Sequence, residues 1–347
     1  MQAEGYDLGF AVGRAFRARI QGATGAIVQR LSERFADDFG AFDGRLHQYI
    51  ERAGRALPEY AAELDGTADG AGVARRALFL SNTVEELLDG SRPSAAGELE
   101  DELRERCTSV AVRGPAGAVL GHNEDVPIFF RPAQYALRIR RPGQAPLLAY
   151  TYAGLLPAVG MNAWGVGMCC DSVWPDDAQV GIPRLFVARA MLAAQSIDHA
   201  ASIATMSGRA GGYGHLLADA GGRTAWLETT ATQGHLQWGD GWSVHTNHYV
   251  HPPLAALEKE HTPNSEWRLA SASHLAGNGA GSVSGVKRVL AHHQRGGRSL
   301  CRHRRKTERG FWFGTIGSVV MDLAAGALHG STDYPCRDAY RALHLDP

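Results

Sequence analysis

The sequence contains no run of about 18 or more apolar residues, the length a helix needs to cross a bilayer, so no membrane span is expected. It also has almost no net charge, with 35 basic residues against 36 acidic ones. That balance offers neither the basic surface a nucleic acid requires nor an attraction to acidic lipid, so neither partner is expected. Cysteine is scarce. The five are Cys107, Cys169, Cys170, Cys301 and Cys336, an odd number at spacings that fit no disulfide framework. A reducing, cytoplasmic setting is the expectation. The opening Met1-Gln2-Ala3-Glu4-Gly5-Tyr6 lacks the basic stretch and apolar core of a signal peptide. His292, His293, Cys301 and His303 lack the spacing of a four-ligand zinc motif and read as surface residues, so no metal is expected. No internal repeat of fixed period is visible.

A chain of 347 residues, 44% hydrophobic, can bury a full core without disulfides or metals. Residues 4–89 read as helical. Gly5, Gly9 and Gly13 recur every four residues on one helix face and leave room for a second element to pack closely. A helix is expected over 35–57, a new start at Pro58, a loop over 66–73, and a helix carrying Leu78, Leu80, Val84 and Leu87. Residues 90–106 are turn-rich and then densely charged, an exposed linker. After it the pattern changes to strands. Thr108–Val112 and Ala118–Gly121 flank a Gly-Pro-Ala-Gly turn, and two further hairpins follow. Two helices, 184–195 and 197–206, lead to a second strand set between 215 and 246. Residues 252–310 mix helix and loop, with a small, polar, flexible stretch over 277–285, and a hairpin over 315–330 closes the fold. The order helices, strands, helices, strands suits an α+β fold with helices outside two antiparallel sheets.

Cys107 stands where the charged linker meets the first strand. A lone cysteine is by default a buried structural residue. As a nucleophile it would need a base, and no histidine precedes it nearby. Cutting the peptide bond before it would supply one. The freed α-amino group, with a pKa of about 7.7–8.0, can take a proton from a thiol of pKa about 8.5. Gly121-His122-Asn123-Glu124-Asp125 ends the partner strand and returns towards Cys107, so Asp125 can orient its amine and thiol; the bland reading is a strand-end turn. Asn247 follows a strand and can donate to an oxyanion, a contribution of about 3 kcal/mol. Its neighbour His248 suggests a general base, and Cys107, His248 and Asn247 together mimic a papain-like set, although the sequence around Cys107 is not papain-like. The run Arg302–Lys306 is a basic face able to meet a phosphate or carboxylate. Cys169 and Cys170 read as core.

These motifs, in this order, resemble the acyl-coenzyme A:6-aminopenicillanic acid acyltransferase family, autoproteolytic cysteine members of the Ntn-hydrolase superfamily. The likeness covers nearly the whole chain. It rests on the Gly5/Gly9/Gly13 helix, the Gly66–Gly72 segment, Cys107-Thr108-Ser109 and Asn123-x-Asp125, with the aspartate eighteen residues after the cysteine. Thr246-Asn247-His248, Ser299–His303 and Ser318–Asp322 complete it. The resemblance implies an αββα four-layer sandwich with a helical N-terminal segment. It implies self-cleavage between Arg106 and Cys107 into a helical chain 1–106 and a catalytic chain 107–347 that stay associated as a heterodimer. Cys107 is then the nucleophile, Asp125 its electrostatic partner and Asn247 an oxyanion donor, with substrate contacts from His248, Arg302 and Thr108. The substrate is a small acyl amide or an acyl-CoA-type thioester, and no cofactor is required. Three positions depart from the family pattern. Arg106 replaces the usual glycine and could slow cleavage, Glu124 stands at a position often aromatic, and the stretch 302–310 is longer and more basic. A papain-like thiol hydrolase using His248, or an unprocessed and inactive binding protein, are the alternatives.

Overall fold

The computed structural model describes residues 2–34, 39–89, 107–259, 263–294, 298–306, 312–337 and 339–346. The linker 90–106, with Arg106, lies outside the described residues. The chain opens with helices α1 (Gln2–Ala15), α2 (Arg17–Arg34), α3 (Phe39–Ala56), α4 (Pro58–Ala71), α5 (Arg75–Ser81) and α6 (Val84–Asp89). The glycine face of α1 meets α4. A Cβ at Gly9 or Gly13 would collide with the carbonyl of Glu63 or Thr67, and one at Gly66 or Gly70 with that of Tyr6 or Phe10. Residues 66–71 are therefore helical, not the loop their composition suggests. A helical glycine is disfavoured by about 1 kcal/mol against alanine, but here the missing side chains let two backbones touch. Helix α4 stops at Gly72, whose left-handed φ of 69° closes its last turn.

Strands follow: β1 (Thr108–Arg113), β2 (Ala118–Pro127), β3 (Gln134–Ile139), β4 (Leu147–Tyr152), β5 (Val159–Asn162), β6 (Val166–Ser172) and β7 (Tyr213–Asp219). Then come β8 (Thr224–Thr229), β9 (Gly234–Trp238), β10 (Trp242–His245), β11 (Arg305–Lys306), β12 (Trp312–Asp322), β13 (Ala327–Ser331) and β14 (Arg341–His344). One sheet runs β10-β1-β2-β12-β13-β14, with β11 added to β12; the other runs β3 to β9 in chain order. The 315–330 hairpin is thus not the last element, because β14 pairs on β13. Nor is 277–285 a featureless stretch. A helix runs to Gly277, and Ser282 caps the next, its Oγ accepting from the Gly285 N–H at 3.1 Å.

The two sheets lie face to face, with β1 and β2 against β6 and β7. Helices Pro263–Gly277 and Val283–Leu290 cover the first sheet through Ala272, Ala276, Val286 and Leu290 packed on Val110, Val112 and Val320. Helix Ile197–Ala204 covers β7 and β8 of the second. Helices sandwiching two sheets make the αββα arrangement. The buried residues of α2 to α6 join both sheets in one continuous apolar cluster, from Ile20 and Leu64 to Leu217 and Leu328. Charges cross the same boundary. Arg189 donates to both oxygens of Glu63 at 3.1 and 2.9 Å, and Arg184 Nε lies 3.3 Å from Glu86, all fully or almost fully buried. Among the described residues no helix is long and apolar enough to cross a membrane.

Candidate active site

The β1–β2 hairpin fixes what faces Cys107. Its register pairs Arg113 with Ala118 and, five steps on, Thr108 with Asn123. One further step sets Cys107 opposite Glu124, and opposed residues in an antiparallel pair share a face. The Cys107 thiol accordingly donates to Glu124 Oε1 at 3.5 Å. Glu124 Oε2 meets His122 Nε2 at 3.2 Å, and His122 Nδ1 meets Ser109 Oγ at 2.9 Å. The Tyr152 hydroxyl also donates to Glu124 Oε1 at 3.5 Å. Cys107, Ser109 and His122 are completely buried. Burial alone would lower the His122 pKa, but the hydrogen bond and charge of Glu124 outweigh it and raise it. The ligand atoms of Cys107, His122 and Glu124 lie within 4.8 Å of one another, a donor set able to touch a metal, though the hydrogen bonds among them already account for their packing.

Asp125 and Thr108 project from the opposite face, because side chains alternate along a strand. Asp125 is completely buried, and its Oδ1 accepts from the Thr315 hydroxyl at 2.6 Å. That hydroxyl in turn accepts from the Arg302 backbone N–H at 2.8 Å, and Arg302 Nε stands 3.8 Å from Asp125 Oδ2. A bulge in β12 between Thr315 and Gly317 turns this strand beside Asp125 and Glu124. Burial pushes the Asp125 pKa up to about 6, against the pull of Arg302 and Thr315. Its Oδ2 has no hydrogen-bond donor among the described residues.

The side chain that gathers the rest is Arg268, fully buried on the helix Pro263–Gly277. Its guanidinium donates to the Cys107 carbonyl, to Thr108 Oγ1 at 2.9 Å, to Asn247 Oδ1 at 2.8 Å and to Asn264 Oδ1 at 3.0 Å. Asn247 thereby joins Cys107 and Thr108. One hydrogen of its Nδ2 goes to the Ser172 carbonyl at 3.1 Å; the second has no acceptor among the described residues. Arg268 was missed from sequence because it lies 161 residues from Cys107, inside an ordinary helix.

His248 is held elsewhere. Its Nδ1 lies 2.8 Å from Ser265 Oγ and 3.3 Å from Thr246 Oγ1. Burial, then the neighbouring His245, push its pKa down to about 4. The imidazole within reach of the Cys107 thiol is His122. His245 itself is sealed between Glu228, 2.9 Å from Nε2, and Asp171, 3.7 Å from Nδ1. Burial opposes its charge, yet the two carboxylates raise its pKa to about 9. Gly214 makes room for that ring, since a Cβ there would strike it.

Arg302 also lines a cavity of about 360 Å³, together with Asn264, His293, Arg298, Arg304 and Arg305 among others. It is a concave, strongly basic surface one side chain away from Asp125. Cys169 and Cys170 are buried in the apolar core, as expected of them.

The chain is 25% identical over 324 residues to the 40 kDa form of acyl-coenzyme A:6-aminopenicillanic-acid-acyltransferase from Emericella nidulans, covering 92% of this chain and 86% of that one. It is 27% identical over 216 residues to a beta-alanyl-dopamine/carcinine hydrolase from Drosophila melanogaster, covering 56% of this chain and only 53% of that protein. Among solved structures, a mutant of conjugated bile acid hydrolase from Clostridium perfringens superposes with a TM-score of 0.51 at 15% identity, over 69% of this chain and 92% of the other. The fold is that of the Ntn hydrolases. Residues 112–334, a stretch that holds Asp125, Asn247, Arg268 and Arg302, match the family described as acyl-coenzyme A:6-aminopenicillanic acid acyl-transferase, and the chain belongs to that family.

Proposed function

We propose that this chain is an amidohydrolase or acyltransferase that cuts itself between Arg106 and Cys107 and then works through an acyl-enzyme on Cys107. The observation that carries the reading is the position of Cys107. It lies immediately before β1, completely buried, with its carbonyl clamped by Arg268 and with Glu124 against its thiol. In maturation the thiol attacks the Arg106 carbonyl, the acyl group passes from nitrogen to sulfur, and water cleaves the thioester. That leaves a carboxylate on Arg106 and a free amine and thiol on Cys107. Asp125 Oδ2, which accepts no hydrogen bond among the described residues, suits the new ammonium group. In turnover the neutral amine takes the thiol proton, and the thiolate attacks a substrate carbonyl. The free hydrogen of Asn247 Nδ2 supports the oxyanion, and the amine returns the proton to the leaving group.

The names of both relatives join an acyl group to an amine, so a small acyl amide or an acyl-CoA-type thioester is the proposed substrate. Arg298, Arg302, Arg304 and Arg305 around the cavity would receive its anionic part. The continuous core and the Glu63–Arg189 pair would hold the 1–106 and 107–347 fragments together as a heterodimer after cleavage. A papain-like use of His248 has less behind it, because that imidazole is engaged by Ser265 and Thr246.

Incubation with a panel of acyl amides and acyl-CoA thioesters, followed by intact mass measurement, tests the reading. The expected result is an acyl adduct on Cys107 that water or an amine discharges, and none in Cys107→Ala. Turnover retained in Cys107→Ala would overturn it.

A further inference from the structure

His293, Cys301, His303 and Cys336 converge at one edge of the first sheet. Their ligand atoms all lie within 4.8 Å of one another, with Cys301 buried and the other three exposed. Cys301 is thus not the surface residue its sequence context suggests. The sequence conceals this group because its fourth member lies beyond β12 and β13. Each member is placed by backbone structure. His293 bridges Ser299, and the Leu300 N–H donates to the His292 carbonyl at 3.0 Å, which brings His293 alongside the Cys301 segment. Cys336 sits in the short 3-10 turn Pro335–Arg337. The adjacent Tyr334 accepts the Arg304 N–H at 2.9 Å and packs on the His303 ring, centroids 4.3 Å apart. His303 Nε2 is 3.1 Å from Cys336 Sγ, and the His293 and His303 rings stand nearly perpendicular at 78°.

We infer that these four side chains form a structural zinc site. Two thiolates and two neutral imidazoles are a preferred donor set for a tetrahedral zinc ion. Bonds of about 2.0–2.3 Å put such ligand atoms about 3.3–3.8 Å apart, so the group needs only small side-chain rotations to close on an ion. Four protein ligands leave no open position, which makes the site structural, not catalytic. Two thiolates balance the charge of the ion. On binding, Cys301 and Cys336 each give up one proton, and two Zn–S and two Zn–N bonds form. The consequence for the active site is direct. Arg302, which faces Asp125, lies between two of the ligands, so the ion would pin the segment that delivers it.

The site does not depend on self-cleavage, and the test keeps the two apart. Reduced protein, wild type and Cys107→Ala, is stripped with chelator and titrated with zinc and with cobalt(II), with bound metal and released protons counted. The expected result in both is one ion per chain and about two protons released near pH 7, with the visible d–d bands of tetrahedral cobalt and a thiolate-to-metal charge-transfer band. Cys336→Ser and His293→Ala, which remove a direct ligand, should bind more than about 100-fold more weakly, beyond the roughly 10–100-fold that changes to outer-shell partners cost, whereas His292→Ala should bind as the wild type does. The wild-type cobalt spectrum decides the matter even where a ligand variant misfolds. Absence of stoichiometric metal in the reduced wild type, or a Cys301–Cys336 disulfide in the native protein, would overturn the inference.

Discussion

Arg268 carries more of the candidate site than any other side chain. A guanidinium presents five donors in a rigid fork, and here they reach Cys107, Thr108, Asn247 and Asn264 at once. Its loss would leave the Cys107 carbonyl and Asn247 Oδ1 without that donor and let the cysteine shift. Misplacement of a reacting group by about 1 Å costs about 10²-fold in rate. Arg268→Ala is therefore expected to lower kcat by that order with little change in KM. Arg268→Lys, which keeps the charge but not the fork, should recover only part of the loss, as steady-state kinetics on folded variants would read. Asp125 gives a second residue-scale expectation. With a pKa near 6 set by burial, it is ionised only above that pH, so an amine it holds in place is well positioned only there. The kcat/KM profile should rise through about pH 6, and Asp125→Asn should flatten that limb. A profile unchanged by the substitution would remove Asp125 from the site.

At the scale of elements, two packed helices and one hairpin do most of the positioning. Gly9→Ala would drive a methyl group into the Glu63 carbonyl on α4. It should destabilise the protein by at least the 1–3 kcal/mol typical of an overpacked core, measurable by denaturant unfolding, while Gly22→Ala, whose Cβ meets open space, should not. The α1 face was legible in the spacing of Gly5, Gly9 and Gly13. Its partner was not, because Gly66 and Gly70 carry the composition of a loop and become helical only through that contact. The hairpin was legible as well, down to its turn. Its register decides which acid meets the thiol, and a single step moves every side chain to the other face. Proximity along the strand pointed to Asp125 as the neighbour of Cys107; counting pairs from Arg113 and Ala118 gives Glu124. Asn247 and Arg302 were recognisable from motifs. Arg268 and Cys336 were not, since no local pattern distinguishes a buried helical arginine or a late cysteine until the chain has folded.

For the whole molecule, buried histidines set how stability varies with pH. His245 has its folded pKa raised to about 9 from an unfolded value near 6.5. Its contribution is fully present below about pH 6.5 and is lost as pH rises through about 9, where the unfolded chain has already given up the proton. His215 and His248 act in the opposite sense. Burial, then His245, hold them down at about 3 and about 4. Their contribution is present above about pH 6.5 and is lost as pH falls towards those values. Asp125, with its raised pKa, offsets part of that acid loss between about pH 4 and 6. Unfolding midpoints should peak near pH 6–7, and His245→Gln should flatten the alkaline side, a change on the order of 3 kcal/mol.

The central claim concerns the main chain before Cys107. Mass spectrometry of the purified protein under denaturing conditions, with N-terminal sequencing of each component, tests it most directly. The account predicts two polypeptides, 1–106 and 107–347, the second beginning Cys107-Thr108-Ser109, and a single uncut chain for Cys107→Ala. An active wild-type protein with the Arg106–Cys107 bond intact would contradict it.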